Sequence, residues 1–377
     1  MNLDTMNFKG IEFIEKEDHF IIKRFKKYFR LGKNEGHMLK DVVTLRDETA
    51  ILAKYNMPLD ELKGFLSALE STGIIGEVPK EKQNFLFYRV PMFNPDLFLS
   101  NLVHTFLKNK FIVKTIFIVL NLVIILGLLL FGFKFSQISS SFLENFGFKE
   151  YFIFYFATIT AVFIHEFGHA IACKYYGGKV EEIGFLLIFF SPALYCDVSG
   201  IWAFEKKREK IITLFAGIYV QFIIFACSSI LYYFFFGYST WLATFVGWNL
   251  LMVLSNIIPV IKLDGYWILS NLIEVPNLYE KSLKLALGTD KDETLFNQHE
   301  LSRKKFIKLF GIFNISFVFV SIILGFFGIY FLSTKLEGTF KYVALTIEIL
   351  MYTLTLIFFG HFLYKLFKQK KLTLKGR

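Results

Sequence analysis

Six apolar stretches dominate the chain after residue 110 and restrict it to folds that a bilayer can hold. They cover residues 111–133, 151–174, 211–236, 241–268, 306–332 and 341–367. A helix needs about 20 apolar residues to cross the hydrocarbon core of a membrane, and each stretch meets that length. Because a bilayer offers the backbone no hydrogen-bond partners, such stretches span it as helices. We therefore predict a multipass α-helical membrane protein with about six transmembrane helices.

The composition excludes a water-soluble protein and disfavours nucleic acid as a partner. Hydrophobic residues make up 54% of the 377 residues, and 49 of them are phenylalanine, which is more apolar surface than a soluble core hides. The net charge of +10 comes from basic residues beside the apolar stretches, where they face anionic lipid. The three cysteines have no CxxC spacing, which favours the reducing side of the membrane.

The distribution of basic residues predicts the orientation. Lysine and arginine are frequent in the loop 175–210 and in the tail after residue 367, but sparse in 134–150 and 333–340. The positive-inside rule then places both termini in the cytoplasm, and an even number of spans agrees. The charged first 110 residues predict no signal peptide. We expect the cytoplasmic membrane as the location.

Residues 1–80 are predicted to form a small cytoplasmic α+β domain. The segment 11–31 is rich in Phe, Ile and Tyr and is interrupted at residues 16–18, which predicts a β-hairpin. Helices are predicted over 47–55 and from Pro58 to a stop at Gly73, with a strand beginning at Ile74 and Ile75. A hairpin with about three short helices is typical of a winged-helix domain. The charges are mixed, so peptide recognition ranks above DNA binding, and a structural cap stays open.

The second apolar stretch contains the sequence His165-Glu166-Phe167-Gly168-His169. Residues four apart on a helix share one face, so His165 and His169 can hold one metal ion. Glu166 lies beside that face and can act as a base without being a ligand. Zinc suits two histidines, a third ligand and an open position. The alternative is a packed histidine pair, but ionisable groups inside a span are costly and usually functional.

The fourth stretch ends in the sequence from Asn256 to Gly265, which includes Pro259 and Asp264. At the helical rise, His165 and His169 lie about 21 and 27 Å from the outer face, and Asp264 about 33 Å. Pro259 is expected to break the helix and shorten that last distance. The three side chains then lie toward the cytoplasmic side of the membrane and can form one zinc site. The alternative for Asp264 is a helix-terminal aspartate at the interface.

The two motifs together resemble the site-2 protease family of intramembrane zinc metalloproteases. That family pairs His-Glu-x-x-His with Asn-x-x-Pro-x-x-x-Leu-Asp-Gly on a later span, and the likeness covers residues 150–270. It implies roles for five residues: His165, His169 and Asp264 as zinc ligands, Glu166 as the general base, and Asn256 as a catalytic residue that holds the substrate carbonyl or strand. One departure is Ile218, where many relatives have Pro after Ala-Gly.

Two finer resemblances concern the substrate. The sequence Tyr195-Cys-Asp-Val-Ser-Gly-Ile-Trp202, with the basic residues 206–208 after it, is similar to the peptide zinc metalloprotease branch of that family. Residues 31–35 and 66–75 resemble the PqqD-like element that binds leader peptides of ribosomally made modified peptides. This implies that a leader adds as a strand to the hairpin edge.

The remaining candidates receive weaker predictions. Asp197 is either a group behind a metal ligand or a turn aspartate, and Cys196 is not expected to bind metal. Residues 183–195 are too short to cross and contain Pro192, which predicts a membrane-dipping hairpin beside the active site. His361 is expected to pack within the bundle. The other four histidines are expected at the surface: His19, His37, His104 and His299.

These predictions give a domain division and a function. The division is 1–80 peptide recognition, 81–110 connector, 111–149 first span and outer loop, 150–270 zinc core, 271–305 cytoplasmic loop, and 306–377 C-terminal pair of spans with a basic tail. The expected activity is that of an intramembrane zinc metalloprotease that cleaves near the cytoplasmic face, maturing a modified peptide precursor. Two alternatives remain: regulated proteolysis of a membrane-anchored signalling protein, and a non-catalytic immunity or export component with structural zinc. Expected partners are the peptide or membrane-protein substrate, the lipid bilayer, and a peptide-modifying enzyme or exporter.

Overall fold

The computed structural model describes residues 3, 6–25, 27–77, 87–144, 147–188, 191–235, 239–288, 298–335 and 338–375. The chain divides into two compact units. The first comprises residues 1–108 and 169–213, and the second comprises residues 109–168 and 214–377. One border between them, after Gly168, falls inside a continuous helix.

The first unit begins with a three-stranded antiparallel sheet followed by three helices. The strands are β1 (Ile11–Glu15), β2 (His19–Arg24) and β3 (Lys27–Gly32), in the spatial order β1-β2-β3. The helices are α1 (Lys33–Leu45), α2 (Glu48–Tyr55) and α3 (Leu59–Thr72). One face of the sheet packs on the helices through a core that includes Phe20, Ile22, Leu39, Leu62 and Leu66. The predicted hairpin is confirmed and extended by a third strand.

Local chemistry sets the helix ends in this region. Asp47 caps α2, because its side chain accepts hydrogen bonds from the backbone N–H groups of Thr49 and Ala50. Gly73 ends α3 in the left-handed conformation, with φ 81°. The predicted strand at Ile74 and Ile75 is wrong. Both side chains are buried in the core of the domain, because the turn at Gly73 directs them back against the helices.

The first unit also contains a second antiparallel sheet, built from segments far apart in sequence. Its strands are β4 (Phe87–Phe93), β5 (Ile183–Ile188) and β6 (Ser191–Cys196), in the order β4-β5-β6. The hairpin predicted over 183–195 is confirmed, whereas its contact with the membrane stays a prediction. Strand β4 lies in a segment predicted only as a connector, and Pro91 is tolerated there because β4 is an edge strand. Helix α4 (Asp96–Leu102) and a π-helical turn (Val103–Leu107) follow β4.

Helices make up the second unit. They are α5 (Lys110–Ser141), α6 (Phe148–Tyr175), α7 (Lys207–Phe234), α8 (Thr240–Ile257), α9 (Asp264–Leu272), α10 (Leu278–Leu287), α11 (Gln298–Ser302), α12 (Lys304–Lys335) and α13 (Gly338–Lys375). The last residues of α6 and the first residues of α7 belong to the first unit. Among the described residues, five of these helices are long and apolar enough to cross a membrane: α5, α6, α7, α8 and α12. The fold is that of a multipass helical membrane protein. The sixth predicted span falls in α13, parts of which lie outside the described side chains.

The fourth predicted span is shorter than expected. A single stretch over 241–268 is wrong, because α8 ends at Ile257 and α9 starts at Asp264. Pro259 explains the break, since its ring clashes with a helical carbonyl and it has no N–H to donate. The expectation that this proline interrupts the helix is confirmed.

Close helix contact in the second unit depends on one glycine of α5. A Cβ atom at Gly127 would lie 2.4 Å from the Cα atom of Ala226 on α7, whereas a Cβ at Gly132 would meet nothing within 4 Å. We expect Gly127→Leu to destabilise the protein by about 1–3 kcal/mol through overpacking. The matched control Gly132→Leu should leave the thermal unfolding temperature in detergent near that of wild type. Equal unfolding temperatures for the two variants would contradict this packing.

Candidate metal centre

Helix α6 carries both histidines of the predicted site on one face. His165 and His169 are 6% and 5% exposed, so both imidazoles lie inside the protein. Gly168 lies between them against α7, where a Cβ atom would approach the carbonyl oxygen of Ala216 to 3.0 Å. The absence of a side chain at this position lets α6 pack closely on α7 beside the two histidines.

The ring of His169 is oriented by a backbone group. Its Nδ1 lies 2.8 Å from the carbonyl oxygen of Thr213. A carbonyl only accepts, so Nδ1 carries the proton and Nε2 keeps its lone pair for a metal ion. The role of Thr213 was missed from the sequence. Its carbonyl oxygen, which any residue would supply, leaves no signal in the sequence.

Asp264 reaches the site because the chain folds back after α8. It is the first residue of α9, and the next residue, Gly265, lies against the end of α8. A Cβ atom at Gly265 would lie 2.4 Å from the carbonyl oxygen of Ile257 and 2.7 Å from that of Asn256. The glycine therefore permits a backbone approach that brings Asp264 beside the end of α8.

The three predicted ligand residues come together. His165 Nε2 lies 3.2 Å from Asp264 Oδ2, and the ligand atoms of His165, His169 and Asp264 all lie within 4.8 Å of one another. Two ligands of a tetrahedral zinc ion at about 2.0–2.1 Å are about 3.3 Å apart. Two imidazole nitrogens and one carboxylate form a donor set that fits zinc and leaves a fourth position open. In the part of the chain that the structure describes, this is the one such group of three.

The two predicted catalytic residues lie next to these ligands. Glu166 follows His165 on α6 and is half-buried. Asn256 is half-buried at the last turn of α8, and its carbonyl oxygen faces Gly265. Their placement is compatible with the predicted roles, which stay predictions.

The structure places Asp197 and Cys196 at the end of the second sheet. Asp197 Oδ1 accepts a hydrogen bond from the backbone N–H of Ser199 at 3.0 Å, which confirms the turn interpretation. Asp197 also lines a small cavity together with Lys23 and Glu181. Cys196 is half-buried at the last position of β6.

The other histidines differ in their exposure. His104 is exposed, as predicted, but His19 is half-buried on β2. The His37 side chain is 45% exposed, although its ring packs on that of Phe20 in a T-shaped arrangement. The side chains of His299 and His361 lie outside the described residues.

A carboxylate outside the predicted site anchors the end of α6. Asp96 accepts from Lys174 Nζ at 2.8 Å through both oxygens and from the backbone N–H of Val180 at 2.9 Å. Burial alone raises the pKa of Asp96, but these hydrogen bonds outweigh it and hold the pKa below its ordinary value. The ionised carboxylate thus joins α4 to the last turn of α6 and to the segment after it.

Comparison with known proteins gives one distant similarity. No protein-family model matches the chain, and no solved structure matches it. The chain is similar to a protein of Bacillus subtilis (strain 168) named "Putative peptide zinc metalloprotease protein YydH", at 26% identity over 125 residues. The match covers 33% of this chain and 49% of that relative, so it spans about half of the relative's length. It supports a distant relationship to a protein that carries a zinc metalloprotease name.

The backbone approach at Gly265 predicts a loss of metal without any change of ligand. Gly265→Ala pushes the start of α9 away from α8 and moves Asp264 from His165. We expect the affinity for zinc to fall by about 10- to 100-fold, the size of effect seen when the support of a ligand is lost. The measurement is zinc per chain by elemental analysis over a series of chelator concentrations. Gly328→Ala is the control, because a Cβ there meets nothing within 4 Å, and equal zinc retention by both variants would contradict the prediction.

Proposed function

We propose that the protein is a zinc-dependent intramembrane endopeptidase of the site-2 protease type. The 3.2 Å approach of His165 Nε2 to Asp264 Oδ2 carries this proposal. A histidine of one apolar helix meets a carboxylate that begins a helix beyond another, and His169 completes the group. Each would be costly to bury alone in a membrane protein, and a shared zinc ion offsets that cost. The distant similarity to a protein named as a zinc metalloprotease supports the same activity.

The chemistry divides between the ion and the chain. A bound zinc ion supplies Lewis acidity to the scissile carbonyl and to an attacking water molecule. Glu166, next to a ligand and not needed as one, accepts the proton of that water and passes it to the departing amine. Asn256 is proposed to donate its side-chain N–H to the substrate carbonyl or strand. Thr213 fixes the tautomer of His169 through its carbonyl oxygen.

The substrate must present an extended peptide, because a helix keeps its amides in internal hydrogen bonds. We propose a ribosomally made, modified precursor peptide whose leader is removed or whose fragment is released. The winged-helix-like domain over residues 1–80 would bind the leader and raise its local concentration near the site. The distribution of lysine and arginine supports a cytoplasmic location for both termini. Cleavage would then take place near the cytoplasmic face.

A second candidate is regulated proteolysis of a membrane-anchored signalling protein, and one observation favours it. An open apolar groove of about 370 Å³ runs along α6, and its lining includes Ala157, Ala161 and Ile164. Ile164 precedes His165 directly, and small residues let another helix approach closely within a membrane. We propose that part of a transmembrane substrate would pack in this groove. Cleavage of a soluble precursor peptide does not need this groove.

The test compares zinc content and peptide cleavage in liposomes, using the short peptide encoded nearest the gene. We expect Glu166→Gln to keep about one zinc per chain, because it replaces no ligand, and to lose about 10²- to 10⁴-fold of the cleavage rate. His165→Ala should lose zinc and cleavage together. Glu150→Gln is the matched control, because Glu150 lies in the first turn of the same helix.

Each outcome of this test separates one part of the proposal. Cleavage at the wild-type rate by Glu166→Gln rejects Glu166 as the base. If wild-type protein holds zinc but leaves this peptide intact, the proposal of a precursor-peptide substrate is rejected. Membrane-anchored substrates are then tested. If wild-type protein holds no zinc, the proposed metallopeptidase activity is rejected.

A further inference from the structure

The N-terminal sheet has a second buried face. Residues of a strand alternate between faces, so Phe20 and Ile22 of β2 point to the helical core and Ile21 and Lys23 point the other way. Ile21 is 7% exposed and Lys23 is 5% exposed. A solvated outer face would expose both side chains. Another part of the chain must therefore cover this face.

The covering part is the segment 179–203, which lies between α6 and α7 in the sequence. Lys23 Nζ lies 2.6 Å from Glu181 Oε1, and Lys16 Nζ donates to the carbonyl oxygen of Ala203 at 2.6 Å. Strand β3 also contacts the 3₁₀ turn Ser199–Ala203. The segment thus contacts the domain at positions near both of its ends.

Lys23 depends on Glu181 more than on Glu12, the other described carboxylate within 4.0 Å of its ammonium group. Glu12, opposite Lys23 on β1, lies 4.0 Å away, and its side chain is 56% exposed. The Lys23 side chain is only 7% exposed, so its charge needs a close partner. Loss of one partner of a buried ion pair leaves an uncompensated charge, which is far more destabilising than loss of a surface pair. Glu181 therefore compensates the charge of Lys23 and allows this lysine to be buried at the interface.

The segment 179–203 is held in shape by its own contacts. A Cβ atom at Gly200 would lie 2.6 Å from the carbonyl oxygen of Lys179, so the 3₁₀ turn crosses the start of the segment at close range. Asp197 closes a turn onto the backbone N–H of Ser199. Val180, near the start, is tied to the end of α6 through the carboxylate of Asp96. The domain therefore packs on parts of the segment that these other contacts also hold.

The interface between the described residues of the two parts has little free space. The cavity between them has a volume of about 10 Å³ and is lined by residues that include Lys23, Tyr28, Glu181 and Asp197. That volume holds about one water molecule. Burial, together with the nearby carboxylates of Glu181 and Asp197, raises the pKa of Tyr28 well above its ordinary value. The contact is a docking surface within the chain.

We infer that the N-terminal domain is seated on the segment 179–203 and fixed there by the Lys23–Glu181 ion pair, and that it holds this segment in position after α6. Lys23 and Glu181 are positioning residues, because they act through the segment. The effect on cleavage rests on the proposed function, whereas the seating of the domain does not. A domain on a free tether would show none of these contacts.

The test is hydrogen exchange of the full-length protein in liposomes, read separately for residues 19–32 and 179–203. Glu181→Gln leaves Lys23 without its close partner, so we expect exchange to rise about tenfold or more in both segments together. Glu12→Gln is the matched control and should exchange like wild type, because the contact of Glu12 with Lys23 is longer, at 4.0 Å, and its side chain is 56% exposed. In a double variant, Lys23→Met with Glu181→Leu, apolar packing replaces the ion pair and should restore protection.

Zinc content and cleavage of the same test peptide separate this inference from the proposed function. We expect Glu181→Gln to keep zinc, because Glu181 is not a predicted ligand. We expect it to cleave more slowly, because the segment 179–203 joins α6, which carries His169, to α7, whose Thr213 carbonyl accepts from that histidine. The apolar double variant should regain activity. Unchanged exchange in Glu181→Gln, or a rise in one segment alone, overturns the inference whatever the cleavage rate. If wild type neither binds zinc nor cleaves the peptide, but exchange rises in both segments of Glu181→Gln, the proposed function is rejected. The inference that the domain packs on the segment 179–203 is then still supported.

Discussion

The constraint on which the structure depends is the cost of placing ionisable side chains among apolar helices. His165 and His169 are almost fully buried, and Asp264 lies against the first of them. A lone carboxylate or imidazolium in such surroundings is strongly disfavoured, so each group needs a partner at short range. Two features allow Asp264 to approach His165. The helix is interrupted before Pro259, and Gly265 has no side chain that would clash with the end of α8. A continuous fourth helix would carry Asp264 farther along its own axis.

Buried and half-buried charges recur in the first unit, where the partner is another side chain. Lys23 pairs with Glu181, and Asp96 pairs with Lys174 while it accepts from a backbone N–H. Exposed ion pairs contribute little, with a median of about 0–1 kcal/mol. A pair with a buried member fixes geometry more strongly, because separation leaves that buried charge without its partner. The segment after α6 is therefore held by charged contacts at its start and by close backbone packing at Gly200.

The sequence predicts those features that depend on local pattern. The apolar lengths predict the membrane helices, and the i, i+4 histidines predict one shared face on α6. The same reasoning fails where distant segments decide the structure. Strand β4 has no alternating pattern and pairs with β5 through backbone groups, so its sequence predicts only a connector. Ile74 and Ile75 look like the start of a strand, yet the turn at Gly73 buries them in the core. The carbonyl of Thr213 is invisible in any side-chain pattern.

The pairing of β4 with β5 also imposes an order on biosynthesis. Val90 lies opposite Phe185, and α5 and α6 lie between them in the chain. The sheet cannot form until a ribosome has made both of these helices. Lys16 and Lys23 likewise cannot make their contacts until Ala203 and Glu181 have been synthesised. The N-terminal domain therefore leaves the ribosome before the segment 179–203 that covers it. During that interval the face of the sheet that carries Ile21 and Lys23 is exposed to solvent, which suits lysine better than a second apolar side chain at position 23.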